Sequence, residues 1–272
     1  MSKNEGKQAG IRFERDGAIA TLTIDQPESM NAITDEVTVE ALCATFDQVQ
    51  RDTTVRALII TGAGRVFSSG GNIKHMRDRA GTFAGNAIDV RNGYRRGVQR
   101  IPRALFDLEV PTIAAVNGPA IGAGLDFALM CDMRVASHNA TFAESFVRVG
   151  LIPGDGGAWF LPRIVGWARA HEMALTGTAI DAPTAAAWGM VSRVVAPEEL
   201  LATARTLAEQ VAANPPLAVR LTKRLLREAQ TLALGPSLEL AAAYQGALHQ
   251  TEDHHEAVVA MLEKRGGSFH AR

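Results

Sequence analysis

Two uninterrupted apolar runs constrain this chain most. VRALIITG (Val55 to Gly62) and TIAAVNG (Thr112 to Gly118) are rich in β-branched residues and lack polar alternation, the pattern of strands buried on both faces. Between them lie a Gly/Ser loop and a polar stretch that predicts helix from about Ala87 to Leu108. Strand, helix, strand is a crossover, and crossovers join parallel strands. A third unit follows in IGAGLDFALMCDMRVAS, where a glycine-opened helix runs to Met130 and a strand spans Met133 to Ala136. Upstream, Ile11–Arg15 and Ala18–Ile24 alternate around Asp16-Gly17 and predict a β-hairpin. Thr34, Asp35 and Glu36 open a helix to about Arg51, with Val37, Leu42, Phe46 and Val49 as its apolar stripe. From about Glu198 the pattern turns to Ala/Leu-rich helices, interrupted at Asn214-Pro215-Pro216 and Gly235-Pro236. The expected fold is α/β: a core over residues 1–197 in which strand-strand-helix units recur, and a helical extension over 198–272 belonging to the same functional unit.

Charge excludes several function classes. With 28 basic and 29 acidic residues the net charge is -1, so nothing draws the chain to nucleic acid or an anionic membrane, and neither is an expected partner. The longest uncharged apolar stretch, Val110 to Leu125, contains Asn117, Pro119 and three glycines and is too short and broken to span a bilayer. The start, MSKNEGKQAG, has no apolar leader core, and two cysteines, Cys43 and Cys131, build no disulfide framework, which points to the cytoplasm. The glycine pairs Gly62-x-Gly64 and Gly122-x-Gly124 meet Phe67 and Phe127 where a dinucleotide fingerprint needs a third glycine; no phosphate loop, HExxH or GxSxG is found. His249, His254 and His255 read as part of a helix start rather than a metal site, and no metal is expected. The arginines at 91, 95, 96, 100 and 103 read either as a solvated helix face or as an edge beside ligand phosphates.

Two glycine-rich turns remain: FSSGGNIKHM (Phe67 to Met76) and NGPAIGAGLDFALMCD (Asn117 to Asp132). Each leaves a buried strand and enters a helix, where unsatisfied N–H groups and the positive end of the helix dipole suit an anionic oxygen. Two such donors converging from separate segments would form an oxyanion hole; the alternative is that the glycines only serve tight turns. Asp126 lies three residues after Ala123 on the same helix face, between Leu125 and Phe127, where a carboxylate is costly unless used or paired.

These segments resemble the enoyl-CoA hydratase/isomerase (crotonase) superfamily. FAESFVRVGLIPGDGGAWFLPR, LTGTAIDAPTAAAWGMVSRVV and the closing AMLEKR follow in the family's order, so the resemblance spans nearly the whole chain. It implies a spiral of ββα units with a helical C-terminal oligomerisation region, an acyl-CoA thioester substrate, no cofactor beyond the coenzyme A of that substrate, and trimers or dimers of trimers. It implies further that the N–H groups of Gly71 and Ala123 form the oxyanion hole, with Ser69 in the same binding segment. Asn72 and Ile73 would lie at the adenine, and Lys264 would reach a neighbouring subunit's CoA 3'-phosphate.

The chain departs from the family at its acids. A typical hydratase holds its water with two glutamates; here Asp126 stands at the first position and Phe146, a candidate substrate contact, at the second. Asp155, in IPGDGG, is the expected catalytic partner of Asp126, its alternative being a helix N-cap. Glu144 is a second acid that could compensate: it would share the face of Phe146 if that segment is extended, its alternative being a surface or loop-pairing role. The leading expectation is enoyl-CoA hydration in acyl-CoA catabolism, followed by double-bond isomerisation, carbon-carbon hydrolysis, and, from another class, acyl-CoA binding without chemistry. Met76, Phe83, Phe146, Trp159 and Phe160 are candidates for an apolar acyl pocket or for ordinary core.

Overall fold

The computed structural model describes residues 6–8 and 10–272. A seven-stranded sheet has the order β1-β2-β3-β4-β5-β7-β10, formed by Gly6–Gln8, Ile11–Asp16, Ile19–Ile24, Ala57–Gly62, Thr112–Val116, Met133–Ser137 and Arg193–Val195. The first two pairings are antiparallel and the remaining four parallel. A second, three-stranded sheet joins β6 (Ala120–Ile121), β8 (Thr141–Ala143) and β9 (Ile180–Asp181). Isolated bridges Ala32 to Gly70 and Ser68 to Ala120 continue this small sheet upstream. The chain thus gives one strand to the large sheet, a short one to the small sheet and then a helix, and repeats: the expected ββα spiral.

The helices are α1 (Glu36–Arg51), α2 (Ile73–Arg77), α3 (Ala87–Arg96), α4 (Arg100–Asp107), α5 (Ala123–Met130), α6 (Gly157–Val165), α7 (Trp167–Thr176), α8 (Ala182–Ala187), α9 (Leu200–Ala212), α10 (Pro216–Glu228), α11 (Leu234–His249) and α12 (Glu252–Glu263). Gly17, at φ 62°, turns the hairpin between β2 and β3. Asp35 caps α1, accepting from the Thr38 N–H at 2.9 Å. The buried stripe of α1 is Val39, Leu42, Phe46 and Val49, whereas Val37 in the first turn faces solvent, 59% exposed. The single helix expected over residues 87–108 is two, because the backbone leaves helical geometry at Gly97 (φ -103°, ψ -116°). Gly235 and Pro236 do not interrupt α11 but form its first turn, where the missing proline N–H has no partner to lose; the break lies just before it.

Both faces of the large sheet are covered, which is why its strands read as unbroken apolar runs. On one side Leu58, Ile60, Ala114 and Val116 pack under α1, α4 and α5; on the other Ile59, Ile113 and Val135 pack under Leu200, Ala204 and Ala208 of α9. Among the described residues no helix is long and apolar enough to cross a membrane. Phe127, fully buried, ties α5 to the core through rings of Phe46 and Phe67 at 6.4 and 6.3 Å. Replacing Phe127 with Ala is expected to cost about 3–5 kcal/mol of unfolding free energy, read from urea titrations.

Candidate active site

The two glycine-rich turns are built against each other. The Ile121 N–H donates to Ser68 O at 3.0 Å and the Phe67 N–H to Pro119 O at 3.1 Å. A side chain on Gly124 would meet Ser68 O at 2.1 Å, and one on Gly70, which holds φ 75°, would meet Ala123 N at 2.7 Å. Two buried or half-buried asparagines fix the first turn's approach. Asn31 donates to Ala63 O and Val66 O at 2.9 and 2.7 Å and accepts from the Gln26 N–H; Asn117 accepts from the Gly62 N–H and donates to Gly64 O. Ser68 Oγ takes up the Gly70 N–H at 3.0 Å. Among the described residues no acceptor lies against the N–H of Gly71 or of Ala123. Two unengaged donors, one per turn, are therefore held at abutting backbones, and that of Ala123 opens α5 at its positive end.

Behind these donors three carboxyl groups converge. Asp126 on α5 is fully buried, as is Glu144, which follows β8; Asp155, which precedes α6, is 3% exposed. Both oxygens of Asp126 and Glu144 and the Oδ1 of Asp155 lack a hydrogen-bond partner. Gly157, the first residue of α6, makes room for the pair: a Cβ there would stand 2.1 Å from Asp126 Oδ1 and 2.3 Å from Glu144 Oε1. The two carboxyl groups face each other without a well-aligned hydrogen bond, so their coupling is electrostatic. Burial, then the neighbouring Glu144 and Asp155, hold Asp126 well above the usual carboxylate range. Burial pushes Glu144 up to about 8 and Asp155 up to about 6. Unpartnered acids at such depth cost stability, which is why they mark a site.

A match to the Enoyl-CoA hydratase/isomerase family model extends over residues 14–272. The chain belongs to this family. It is 39% identical to the 1,2-epoxyphenylacetyl-CoA isomerase of Escherichia coli over 92% of this chain and 94% of that one. It is 35% identical to the short-chain-enoyl-CoA hydratase of Clostridium acetobutylicum over 94% and 95%. The crystal structure of the enoyl-CoA hydratase from Bacillus anthracis superposes with a TM-score of 0.91 at 28% identity, covering 97% of this chain and all of that one.

Within this hydratase/isomerase fold the expected residues fall into three groups. Gly71, Ala123, Asp126 and Asp155 come together as described. Asp155 is not an N-cap, since that place belongs to Gly156 at φ 120°, leaving the carboxyl turned inward. Phe146 packs its ring on Gly122 at the mouth of the second turn, 3.6 Å from where a Cβ would be. The others serve local structure in a single chain. Ser69 Oγ donates to Ser29 O, the Asn72 carboxamide caps α2 through the Lys74 N–H, Ile73 is 65% exposed, and Lys264 ends α12 on the surface at φ 56°. The candidate acyl-pocket residues divide. Met76 and Phe83 line a cavity of about 450 Å³ with Val90, Tyr94 and Leu151, whereas Trp159 and Phe160 line a larger one of about 970 Å³ under α10.

The sequence offered Glu144 on a geometry the structure does not have, and it missed Tyr94. Glu144 does not share a strand face with Phe146, because the strand ends at Ala143 and residues 146–149 wind into a 3-10 turn. The pairing of β6 with β8, which places Ala143 O on the Gly122 N–H at 2.8 Å, instead delivers Glu144 to Asp126. Tyr94, an aromatic on the otherwise polar α3, has its ring 3.5 Å from where a Gly154 side chain would start; burial and then the charge of Asp155 weaken its acidity.

Two outcomes follow from this packing. Gly157→Ala must force the acids apart, and since a displacement near 1 Å costs on the order of 100-fold in rate, turnover of an enoyl thioester should fall by about that factor in steady-state assays. The raised Asp155 makes the folded state bind its proton more tightly than the unfolded chain. Stability should therefore decline as pH rises from about 4 to about 6, by on the order of 2–3 kcal/mol. Denaturation of Asp155→Asn should show the decline reduced by that amount, the remainder belonging to Asp126 and Glu144, with variant and parent alike near pH 4 and the variant ahead above pH 6.

Proposed function

We propose that this family member hydrates an enoyl-CoA thioester in acyl-CoA catabolism through an enolate held by the Gly71 and Ala123 N–H groups. The observation that carries the reading is the pair of unengaged donors on abutting turns beside buried acids. A thioester oxygen between these donors gains most as it becomes anionic, so they favour the enolate over the substrate. The environments assign the acids their parts. Asp155, ionised above about pH 6, takes a proton from water as the oxygen bonds the β-carbon. Asp126, kept protonated by its burial, gives its proton to the α-carbon. The product gains one water, and the proton lost by Asp126 equals the one gained by Asp155. Phe146, lying on Gly122, would shield the enolate from bulk solvent.

Double-bond migration is the second reading, favoured by phenylalanine at the position where a hydratase has its second glutamate. Coenzyme A enters with the substrate and no other cofactor is proposed. Asn72 and Ile73 are assigned to the adenine, Ser69 to the same segment, and Lys264 to the CoA phosphate of an adjoining subunit. A trimer or dimer of trimers fits α11, which buries no residue in the single chain, and the exposed Leu234, Leu238, Met261 and Leu262. The cytoplasm fits two free cysteines.

Incubation with crotonyl-CoA and a 3-enoyl-CoA in heavy-oxygen water, followed by mass, tests the reaction. Heavy oxygen should enter crotonyl-CoA; a shifted double bond without added oxygen would select isomerisation, and two unchanged thioesters would overturn both. Asp126→Asn should abolish turnover and leave acyl-CoA affinity within about twofold.

A further inference from the structure

Asp126 poses a problem of proton supply. It has no exposed surface and no hydrogen-bond partner, and its helix neighbours Leu125 and Phe127 are fully buried and apolar. Once it has given a proton to carbon, it must regain one before the next cycle. Among the described residues, four titratable groups face the site from the elements around it: Asp126 from α5, Glu144 after β8, Asp155 before α6 and Tyr94 from α3. They form a graded series, with Asp126 and Glu144 side by side above Gly157, Asp155 acting on both, and the half-buried Tyr94 next to Asp155 at the 450 Å³ cavity.

Resting on the reading above, we propose that Glu144 is a positioning residue that acts through Asp126, holding a proton against it and refilling it after each turnover. The proton that Asp155 takes from water passes to Glu144 as Glu144 passes its own to Asp126; every group returns to its starting form, and only water and thioester are consumed. Two features support this over a structural role. Both Glu144 oxygens are buried without a partner, so the side chain satisfies no other group of the fold. Glycine at 157 is the only residue that leaves room for the two carboxyls to face each other. The neutral form that burial favours in Glu144 is also the form that can donate.

The test compares the parent with Glu144→Gln and the apolar, similarly long Glu144→Met in rapid-mixing assays on crotonyl-CoA. Each variant should complete its first turnover within about threefold of the parent and then run at least tenfold slower in the steady state, because refilling must wait for solvent. Its melting temperature should equal or exceed the parent's, where a structural residue would lower it. The slow phase should quicken as pH is lowered from 8 to 6, since refilling then draws on solvent protons. Steady-state rates matching the parent, or a first turnover as slow as the later ones, would overturn the relay while leaving hydration intact. A parent that turns over neither thioester would instead overturn the preceding reading and this one with it.

Discussion

The contact between two backbones, Ser68 carbonyl against the start of α5, is the constraint on which the rest of the site depends. It draws together turns that are more than fifty residues apart in sequence. It works only because Gly70 and Gly124 carry nothing that would separate them. The small sheet exists to make this contact: its bridges run from Ala32 through Gly70, Ser68 and Ala120 to Phe142 and Ala143. Each turn of the spiral adds a rung, and the candidate site residues sit where each rung gives way to a helix. Asn31 and Asn117, placed at the ends of the rungs, spend their hydrogen bonds on loop carbonyls and amides that would otherwise be free to rearrange.

Depth gives the site its chemistry and costs it stability. Three buried carboxyls oppose folding more strongly as pH rises, because the folded state must either keep their protons or bury charge. The surrounding core offsets this: α5 is buried over its entire length and wedged by Phe46, Phe67 and Phe127. The same depth separates the acids by environment. Asp155, nearest the edge, ionises most readily, while Asp126 at the centre keeps its proton, so acid and base are set by position rather than by residue type.

How far the sequence reveals this follows from the range of each signal. The parallel core strands, the hairpin at Gly17 and the capped α1 are local patterns, and they were legible. The convergence of the segments that carry Gly71, Ala123, Asp126 and Asp155 was legible as well, because each residue lies in or beside a glycine-rich segment whose composition announces a special backbone. The burial of Glu144 was not. Nothing in FAESF distinguishes a loop acid from a buried one; its placement comes from the pairing of β8 with β6, whose partners lie some twenty residues apart. Val37 and Gly97 were misread for the opposite reason, since periodicity alone does not say which first-turn residue faces out or whether a glycine continues or ends a helix.

Because the oxyanion donors are main-chain groups, no substitution short of proline deletes them. In the proposed reaction the variable parts are instead three side chains and the one glycine that makes room for them. Such a division would let acids be exchanged by substitution while the two backbone donors stay in place. Ala123 shows the first half of this division, since its side chain leaves the backbone donor untouched, and Phe146, lying on Gly122, shows that a bulky ring fits beside the cradle without filling it.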